Sequence, residues 1–346
     1  MIRIQNIYYM LAYAFQVLNE QGYKNIATEE FDNTAELCAA ILARGISTQV
    51  KRGLGKEYIP QTEALSSLRG KLDISESIKT QTFLKKQMIC SYDDFSVNSV
   101  MNRIIKSTVL ILLKGDISKS RKKELRKLMV FFEDVDAIDL YSVNWNMQYN
   151  RNKQTYRMLI SICYLVFKGL LQTQSDGTTK LMDFLDEQRM HRLYEKFILE
   201  YYRKEHPELT TNASQIPWQL DDDFGDMLPV MQTDIMLTKD EKTLIIDAKY
   251  YAHTTQRQYD KNTLHSGNLY QIFTYVKNKE AELAEQPHKV AGMLLYARTD
   301  EEIYPEKEYR MSGNQIGVRT LNLDGDFDMI KNQLNEIAEE FFGEAA

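Results

Sequence analysis

The sequence predicts a mixed α/β protein of two domains, and three features of the chain lead to this prediction. The chain has 346 residues, which exceeds the usual length of a single domain. Its first half is mainly helical in pattern, but glycines and a proline divide residues 51–93 into short extended pieces. Its second half shows the order helix, three strands, helix, strand, which is typical of a central mixed sheet flanked by helices. We therefore predict an α+β N-terminal domain over residues 1–150 and a mixed-sheet domain over residues 151–346.

The composition is that of an ordinary globular protein, with 43% hydrophobic and 27% charged residues. No run of 18 apolar residues is present, so we predict no membrane span. The apolar N-terminus contains Gln5 and Asn6 and lacks a small-residue cleavage site, which predicts a core helix rather than a signal peptide. The three cysteines are scattered and form no C-x-x-C motif, which indicates reduced thiols, a cytoplasmic protein and no zinc site.

The charge balance argues against a protein that binds DNA without a partner. The net charge is −6, whereas such proteins are more often basic. One local cluster, Lys114–Lys127 (KGDISKSRKKELRK), is basic and is either a solvated helix face or a contact for phosphate. The phosphate-binding motif G-x-x-x-x-G-K-[ST] is absent, so we expect that this chain does not itself hydrolyse a nucleotide.

In the N-terminal half, apolar residues at helical spacing predict helices over residues 6–20, 34–50, 97–114, 118–132 and 152–171. A β-rich module is predicted at about residues 51–93. Arg52 and Arg69 each precede a glycine, which predicts exposed turns. An arginine in such a turn can reach a phosphate-bearing site of a partner, although most arginines simply lie on the surface. Residues 173–179 (TQSDGTT) are predicted to form a linker.

In the C-terminal half, we predict helices over residues 181–206, 267–282 and 328–342 and strands over residues 290–296, 309–311 and 316–321. Glu195 lies in the middle of the first of these helices. Gln271 and Tyr275 are four residues apart in the second and therefore share one face. Residues 254–266 are predicted to form a polar loop.

A hairpin at residues 229–251 (PVMQTDIMLTKDEKTLIIDAKYY) is the most informative part of the sequence. Two strands are predicted, over residues 231–237 and 243–250, on either side of a polar turn. If the turn centres on residues 240 and 241, Asp234 lies opposite Asp247. Because side chains alternate along a strand, Asp247 and Lys249 share a face.

Two carboxylates across a strand pair repel each other, and a divalent cation between them would remove the repulsion. Mg²⁺ prefers such hard oxygen ligands, and a lysine two residues further on would point at water or phosphate. Asp234, Asp247 and Lys249 are therefore a candidate metal-dependent phosphodiesterase centre. The simpler interpretation is a solvated hairpin, but the apolar residues 244–246 predict a central strand, which should not carry unpaired charge without a reason.

Other polar residues have simpler explanations. Asp221–Asp223 are three consecutive carboxylates before Phe-Gly, and we interpret them as a solvated turn rather than a cation site. His191 and His265 lie near the candidate centre in the predicted order of elements, but they match no metal-binding histidine spacing. We interpret both as packing or surface residues.

The order helix-Glu, Asp, Asp-x-Lys, helix Gln-x-x-x-Tyr resembles the PD-(D/E)xK nuclease superfamily, in its variant with a downstream glutamine helix. Several longer segments narrow the resemblance, and they keep one order from near residue 3 to near residue 275: RIQNIYYMLAYAF, RGLGKEY, LRGKLD, NRIIKSTVLILLK and LPVMQTDI…LIIDAKYY…GNLYQIFTY. Together they are similar to the McrC family, the nuclease subunits of GTP-dependent, modification-dependent McrBC restriction systems. The resemblance implies a PD-(D/E)xK-type nuclease domain at the C-terminus.

For the site, the resemblance implies that Asp234 and Asp247 bind Mg²⁺ and that Lys249 orients the attacking water and steadies the scissile phosphate. Gln271 would support the site from its helix, with Tyr275 behind it. The superfamily's first acidic position, a further metal ligand, corresponds to Glu195, although McrC-like chains do not keep it regularly. The proline that usually precedes the first aspartate is also missing, since Gln232-Thr233 stand there.

For partners, the resemblance implies that the N-terminal domain docks on McrB, a hexameric ring of AAA+ GTPase subunits, and stimulates its hydrolysis of GTP. In such systems the partner binds GTP and recognises methylated cytosine in double-stranded DNA. The β-rich module at 51–93, with Arg52 and Arg69, is the candidate docking surface. Two alternatives stay open at this point: a regulatory subunit without nuclease chemistry, and a stand-alone nuclease of the repair type.

Overall fold

The computed structural model describes most of the chain, namely residues 2–15, 18, 23, 26, 29, 31–150, 153–171, 187–222, 224–250, 255–258, 261–298 and 304–343. The chain forms two compact units, Met1–Phe31 together with Phe184–Ala346, which we call the sheet unit, and Asp32–Asp183, which we call the helical unit. The predicted boundary at residue 150 is therefore corrected. The first 31 residues group with the C-terminal part, and the helix Gln154–Leu171 belongs to the helical unit.

Helices and strands follow the predicted order over most of the chain. The helices are α1 (Ile4–Ala14), α2 (Thr34–Arg52), α3 (Ile74–Lys79), α4 (Val100–Lys114), α5 (Lys119–Met129), α6 (Gln154–Leu171), α7 (Glu187–Glu205), α8 (Ser266–Glu282) and α9 (Phe327–Phe342). The strands are β1 (Glu57–Leu65), β2 (Lys71–Asp73), β3 (Met88–Ser96), β4 (Thr210–Asn212), β5 (Gln215–Ile216), β6 (Met231–Gln232), β7 (Ile235–Lys239), β8 (Lys242–Lys249), β9 (Thr255–Gln258), β10 (Lys261–Leu264), β11 (Lys289–Ala297), β12 (Lys307–Met311) and β13 (Asn314–Leu321). Within the described ranges, no helix has the length and hydropathy needed to cross a membrane.

The helical unit combines four long helices, α2, α4, α5 and α6, with a small antiparallel sheet of strand order β1-β3-β2. Three of the helices begin at polar caps: the side chains of Asn33, Ser99 and Ser118 each accept a hydrogen bond from a backbone N–H three residues on. Such caps satisfy amide groups that the first helical turn leaves unpaired. The sheet confirms the β-rich module that the glycine spacing predicts, and we call residues 57–96 the β-module.

Both ends of the β-module are held by one buried amide side chain, that of Asn102 in α4. Its Nδ2 donates to the carbonyl oxygen of Gly55 at 2.9 Å, just before β1, and to that of Val97 at 2.8 Å, just after β3. Its Oδ1 accepts from the hydroxyl of Tyr156 at 2.8 Å, and that hydroxyl accepts from the Gly55 N–H at 2.8 Å. Asn102 is fully buried, so these bonds fix the two segments that connect the β-module to the helices.

Replacing Asn102 with alanine is expected to destabilise the helical unit by about 2–4 kcal/mol, because the buried partners of the amide would be left without hydrogen bonds. Chemical denaturation of the full chain would measure this loss. Asn146→Ala, at an exposed asparagine of the same unit, is the matched control and should change stability by less than about 0.5 kcal/mol. Equal effects of the two substitutions would contradict the assigned role of Asn102.

The sheet unit is built around a six-stranded mixed sheet with strand order β12-β13-β11-β8-β7-β4. β8 and β11 are parallel neighbours at its centre, and their apolar runs are buried on both faces. α8 packs on one face through Ile272 and Val276. On the other face, Ile337 of α9 lines a cavity together with Leu244 of β8. The predicted mixed sheet flanked by helices is therefore confirmed.

α1 belongs to the sheet unit, because its side chains form hydrogen bonds and ring contacts with residues of that unit. Asn6 Nδ2 donates to the carbonyl oxygens of Leu323 and Gly325, both at 2.8 Å. The ring of Tyr9 stacks on that of Phe327, with 4.4 Å between centroids. Helical periodicity indicates which face of α1 is buried but not what covers that face, which is why the sequence alone misplaces the helix.

Smaller differences from the sequence prediction have local causes. α1 ends at Ala14 rather than at residue 20, because Phe15 takes extended backbone angles. The predicted loop at 254–266 contains the β9–β10 hairpin, in which Lys261 pairs with Gln258. The predicted strand at 231–237 is divided into β6 and β7. The predicted linker at 173–179, and the first six residues of the predicted helix at 181–206, lie outside the described residues.

Candidate active site

The hairpin formed by β7 and β8 has the predicted register. Ile235 pairs with Ile246, so residues whose numbers sum to 481 face each other. The turn contains Asp240, whose φ of 51° is a left-handed conformation that aspartate tolerates. Asp234 lies one residue before β7 and continues this register towards Asp247.

The position of Asp234 is set by its neighbours on both sides. Thr233, directly before it, donates from its backbone N–H at 3.0 Å and from its hydroxyl at 2.9 Å to the carbonyl oxygen of Ser214. The Thr233 hydroxyl also accepts from the Ser214 N–H at 3.1 Å. On the other side, Asp234 Oδ2 accepts from the backbone N–H of Ala248 at 2.9 Å. The carboxylate is thus fixed against β8 at Ala248, between Asp247 and Lys249.

Asp247 and Lys249 lie inside the protein, with only 1% and 7% of their surfaces exposed. Lys249 Nζ is 2.8 Å from Asp247 Oδ2, which makes them a buried ion pair. The contact lacks the angles of a directed hydrogen bond, and among the described residues neither carboxylate oxygen of Asp247 accepts one. Burying acceptors in this state costs free energy, so a structural role alone does not explain them.

The electrostatics around Asp234 favour either a proton or a cation at this carboxyl group. Burial, then the negative charges of Asp247 and Glu195, raise the pKa of Asp234 to about 8, and only Lys249 acts in the opposite direction. Two neighbouring carboxyl groups, one of which has no hydrogen bond to either oxygen among the described residues, match the ligand preference of Mg²⁺. Asp234 and Asp247 therefore fit a divalent cation.

A chain of hydrogen bonds holds the ammonium group of Lys249 from the side of α8. Lys249 Nζ donates to Gln271 Oε1 at 3.2 Å, and Gln271 Nε2 donates to the Tyr275 hydroxyl at 2.9 Å. The Tyr275 hydroxyl donates in turn to the backbone carbonyl of Gln232 at 3.1 Å. These hydrogen bonds fix the orientation of the Gln271 amide, because the amide oxygen must face Lys249. The structure thus brings together Asp234, Asp247, Lys249, Gln271 and Tyr275.

Close packing of α8 on the sheet supports this series of hydrogen bonds. It involves two residues that the sequence analysis missed. Asn268 Nδ2 donates to the hydroxyl of Tyr296 at 3.0 Å, and Tyr296 is the parallel register partner of Lys249. A Cβ at Gly292 would lie 2.7 Å from Ile272, so α8 approaches β11 as closely as glycine allows. Asn268 lies three residues before Gln271, a helical spacing that could have identified it, whereas Tyr296 has no such local signal.

Glu195 is near the site but is not arranged with the two aspartates as a common ligand set. Its carboxylate pairs with His191 Nδ1, one helical turn earlier, at 2.5 Å. It still acts on Asp234 through its charge. Within the described residues, no group of three histidine, cysteine, aspartate or glutamate side chains is placed to hold a metal ion. The structure therefore places Asp234 beside β8 near Asp247, while Glu195 pairs with a histidine.

Arg52 and Arg69 belong to the helical unit and are exposed, as the sequence predicts. Arg69 pairs with Asp94 at 3.1 Å and lies over the ring of Tyr92. Its neighbour Gly70 has a φ of 67°, which favours glycine.

The remaining polar candidates agree with the simpler interpretation given to them. Asp222 Oδ1 accepts from the backbone N–H of Phe224 at 3.2 Å in an exposed bend, as in a solvated turn, while Asp223 lies outside the described residues. His265 is the residue before α8, and its side chain does not cap the helix.

The raised pKa of Asp234 predicts a pH-dependent stability in the absence of metal. Between about pH 4 and pH 8 the folded state retains a proton that the unfolded state releases, so wild-type stability should fall as pH rises through this range. Asp234→Asn removes this dependence and should stabilise the metal-free protein at pH 8 by about 1–3 kcal/mol, with little change at pH 5. Thermal unfolding in EDTA at both pH values measures the difference.

The same experiment with Mg²⁺ gives the control. Adding the ion at pH 8 should raise the melting temperature of the wild type more than that of Asp234→Asn, because a ligand stabilises only the state that binds it. An Asn variant that unfolds at the wild-type temperature at pH 8 in EDTA would contradict the assigned repulsion.

Comparison with known proteins places the chain among restriction systems. A family model described as "McrBC 5-methylcytosine restriction system component" matches residues 4–297. The chain is similar to the type IV methyl-directed restriction enzyme EcoKMcrBC of Escherichia coli (strain K12), with 29% identity over 346 residues that cover 98% of each protein.

Two solved structures also match. One is a refined half-complex from a tetradecameric assembly of Thermococcus gammatolerans McrB AAA+ hexamers with bound McrC, at 17% identity and a TM-score of 0.47, covering 95% of this chain and 75% of that chain. The other is the Thermococcus gammatolerans McrBC complex, at 20% identity and a TM-score of 0.39, covering 58% of each chain.

Proposed function

Because this chain belongs to the family of McrBC 5-methylcytosine restriction system components, we propose that it is the DNA-cleaving subunit of such a system, with a PD-(D/E)xK-type site in its sheet unit. The observation that carries the proposal is the buried pair Asp247 and Lys249, with Asp234 fixed beside it on a central hairpin. A subunit that served only as a scaffold would have no reason to bury these charges. The reaction is hydrolysis of a DNA phosphodiester: water adds to phosphorus and the bond to one sugar oxygen breaks.

In the proposed mechanism, Asp234 and Asp247 hold Mg²⁺, which when bound supplies Lewis-acid stabilisation of charge at the scissile phosphate. Lys249 orients the attacking water and places a positive charge where negative charge develops in the transition state. Gln271 keeps the ammonium group in position by accepting its hydrogen bond, and Tyr275 keeps the Gln271 amide in the required orientation. Because these supports are already in place, little reorganisation is needed during the reaction.

We further propose that the β-module docks this chain on an AAA+ GTPase partner that binds GTP and recognises methylated cytosine. Large apolar side chains are unusually exposed on the β-module: Leu84 at 71%, Leu68 at 65% and Ile78 at 62%. Several exposed apolar side chains of this size within one small module are typical of protein-interaction sites. The chain itself lacks a phosphate-binding loop motif, so a GTP-dependent reaction requires a partner.

Leu84→Asp is expected to weaken binding to the GTPase partner by at least about tenfold and to reduce its stimulation, because a charge replaces an apolar contact. Titration of partner GTPase activity with the variant measures both effects. Val130→Asp is the matched control, since Val130 is 69% exposed in the same unit but outside the β-module. Unchanged stimulation by the Leu84 variant would contradict docking through this surface.

A cleavage assay tests the whole proposal. Methylated and unmethylated plasmids are incubated with this chain, Mg²⁺ and GTP, with and without a candidate AAA+ partner. We expect cleavage only of methylated DNA and only with the partner and GTP. Cleavage by the chain alone would instead indicate a stand-alone nuclease, and stimulation of GTP hydrolysis without any cleavage would indicate a regulatory subunit.

A further inference from the structure

The outward face of α5 carries four cations in one stripe. Lys119, Lys123, Arg126 and Lys127 are all exposed, and their spacing of four, seven and eight residues from the first puts them on one side of the helix. The stripe is about 12 Å long at 1.5 Å per residue. We call these four residues the cationic stripe.

The contacts that anchor α5 lie on the side of the helix opposite the cationic stripe. α5 is anchored on its opposite side by Leu125, which is fully buried, and by Arg121, which pairs with Glu36 at 3.4 Å and with Glu124 at 2.7 Å. Glu124 is the one acidic residue of α5, and its carboxylate is paired with Arg121 rather than with a residue of the stripe. In the part of the chain that the structure describes, no carboxylate pairs with any of the four stripe residues.

Some cations elsewhere on the surface are paired with carboxylates, and four of these provide a comparison with the stripe. Arg3, Lys204, Lys279 and Lys331 are paired with Asp326, Glu205, Glu282 and Asp328, respectively. The whole chain has a net charge of −6, yet α5 has six basic residues and one acidic residue. The stripe is therefore a concentrated positive region on an acidic protein.

The helix dipole also argues against a purely structural role. The N-terminus of a helix is positive, so cations there are unfavourable and carboxylates are favourable. The first turn of α5 contains Lys119, Arg121 and Lys122 and no acidic residue. The basic residues of the last turn suit the dipole, but those of the first turn oppose it. An external anion at the N-terminal end of this face would compensate the charge of Lys119.

We propose that the cationic stripe binds the phosphate backbone of double-stranded DNA, independently of its sequence. The inference deepens the proposed function, since it takes DNA as the substrate of this chain. One strand of B-DNA has one phosphate per 3.4 Å of helix axis, so a 12 Å stripe that lies along the axis covers the axial rise of about three or four phosphates. Exposed lysine and arginine side chains without carboxylate partners bind phosphates with little loss of existing contacts and release counterions from DNA.

The test is the salt dependence of DNA binding by the full chain. Anisotropy of a fluorescent 30-base-pair duplex is measured between about 25 and 200 mM salt, for wild type and for the variant K119Q/K123Q/R126Q/K127Q. Each phosphate contact contributes about 0.9 to the slope of log affinity against log salt, so the variant should lose about 3–4 from this slope. The control R3Q/K204Q/K279Q/K331Q has the same change in net charge and should keep the wild-type slope.

Three results would overturn the proposal: no binding by wild type at the lowest salt, an unchanged slope in the stripe variant, or an equal loss in the control. A fourth result would also overturn the proposal. If the stripe variant lost GTPase stimulation but kept the wild-type salt dependence of DNA binding, the stripe would be assigned to a protein partner. The assay involves no cleavage. Failure of the proposed nuclease site, seen as cleavage by an Asp247 variant, is therefore distinguishable from failure of the stripe.

Discussion

Replacing Asp247 with asparagine is expected to abolish DNA cleavage, with a loss of about 10³-fold or more in the single-turnover rate. The substitution keeps the size of the side chain and removes the charge that is proposed to hold the metal ion and that faces Lys249. It also removes a buried carboxylate whose oxygens accept no hydrogen bond among the described residues. The fold should therefore be retained or slightly stabilised, as melting temperatures would show.

Asp240→Asn is the matched control for this prediction. Asp240 is an exposed carboxylate in the turn of the same hairpin, and asparagine tolerates its left-handed conformation. The control should cleave at the wild-type rate. The Asp247 variant should still stimulate the GTPase partner, because docking is assigned to the other unit. Cleavage by a purified Asp247→Asn complex at the wild-type rate would refute the site.

Deleting residues 1–31 is expected to unfold the sheet unit, although the deletion removes none of the site residues. Met10 and Leu11 of α1 are fully buried, and burial of each such side chain contributes about 1.5–3 kcal/mol. Together with Asn6 and the stacked Tyr9, their loss approaches the whole stability of a typical domain. A fragment 151–346, the domain that the sequence suggests, should fail to fold, whereas residues 1–31 joined by a linker to 184–346 should fold. Circular dichroism and thermal unfolding compare the two.

Two point variants separate this packing role from a general effect at the N-terminus. Asn6→Ala removes two buried hydrogen bonds and should cost about 1–3 kcal/mol. Arg3→Ala removes an exposed ion pair with Asp326 and should cost less than about 1 kcal/mol. A fragment 151–346 that unfolds cooperatively, at the same temperature as the linked protein of residues 1–31 and 184–346, would contradict the assignment of α1.

The hairpin of the site was predictable because its information is local. Alternation of side chains and the position of the polar turn determine that Asp234 and Asp247 face each other, and the apolar residues before Asp247 predict a central strand. The four-residue spacing of Gln271 and Tyr275 was likewise sufficient to place both on one face of α8.

Other parts of the site depend on contacts between distant segments, which periodicity does not encode. Tyr296 lies beside Lys249 only because β11 and β8 are parallel neighbours in one register. The pairing of Glu195 with His191 could be read from their spacing, but its effect on the ligand set depends on how α7 lies against the hairpin. The grouping of α1 with the sheet unit has the same origin.

The discontinuous sheet unit has a consequence for protein synthesis. α1 leaves the ribosome first, but the segments that bury it begin at residue 184, after the whole helical unit. At about 5–20 residues per second, the 152 residues of the helical unit take roughly 8–30 s to be made. During this time the helical unit, including the β-module, is already complete and able to fold. The candidate nuclease centre is thus completed last, after the proposed docking surface of the β-module has been synthesised.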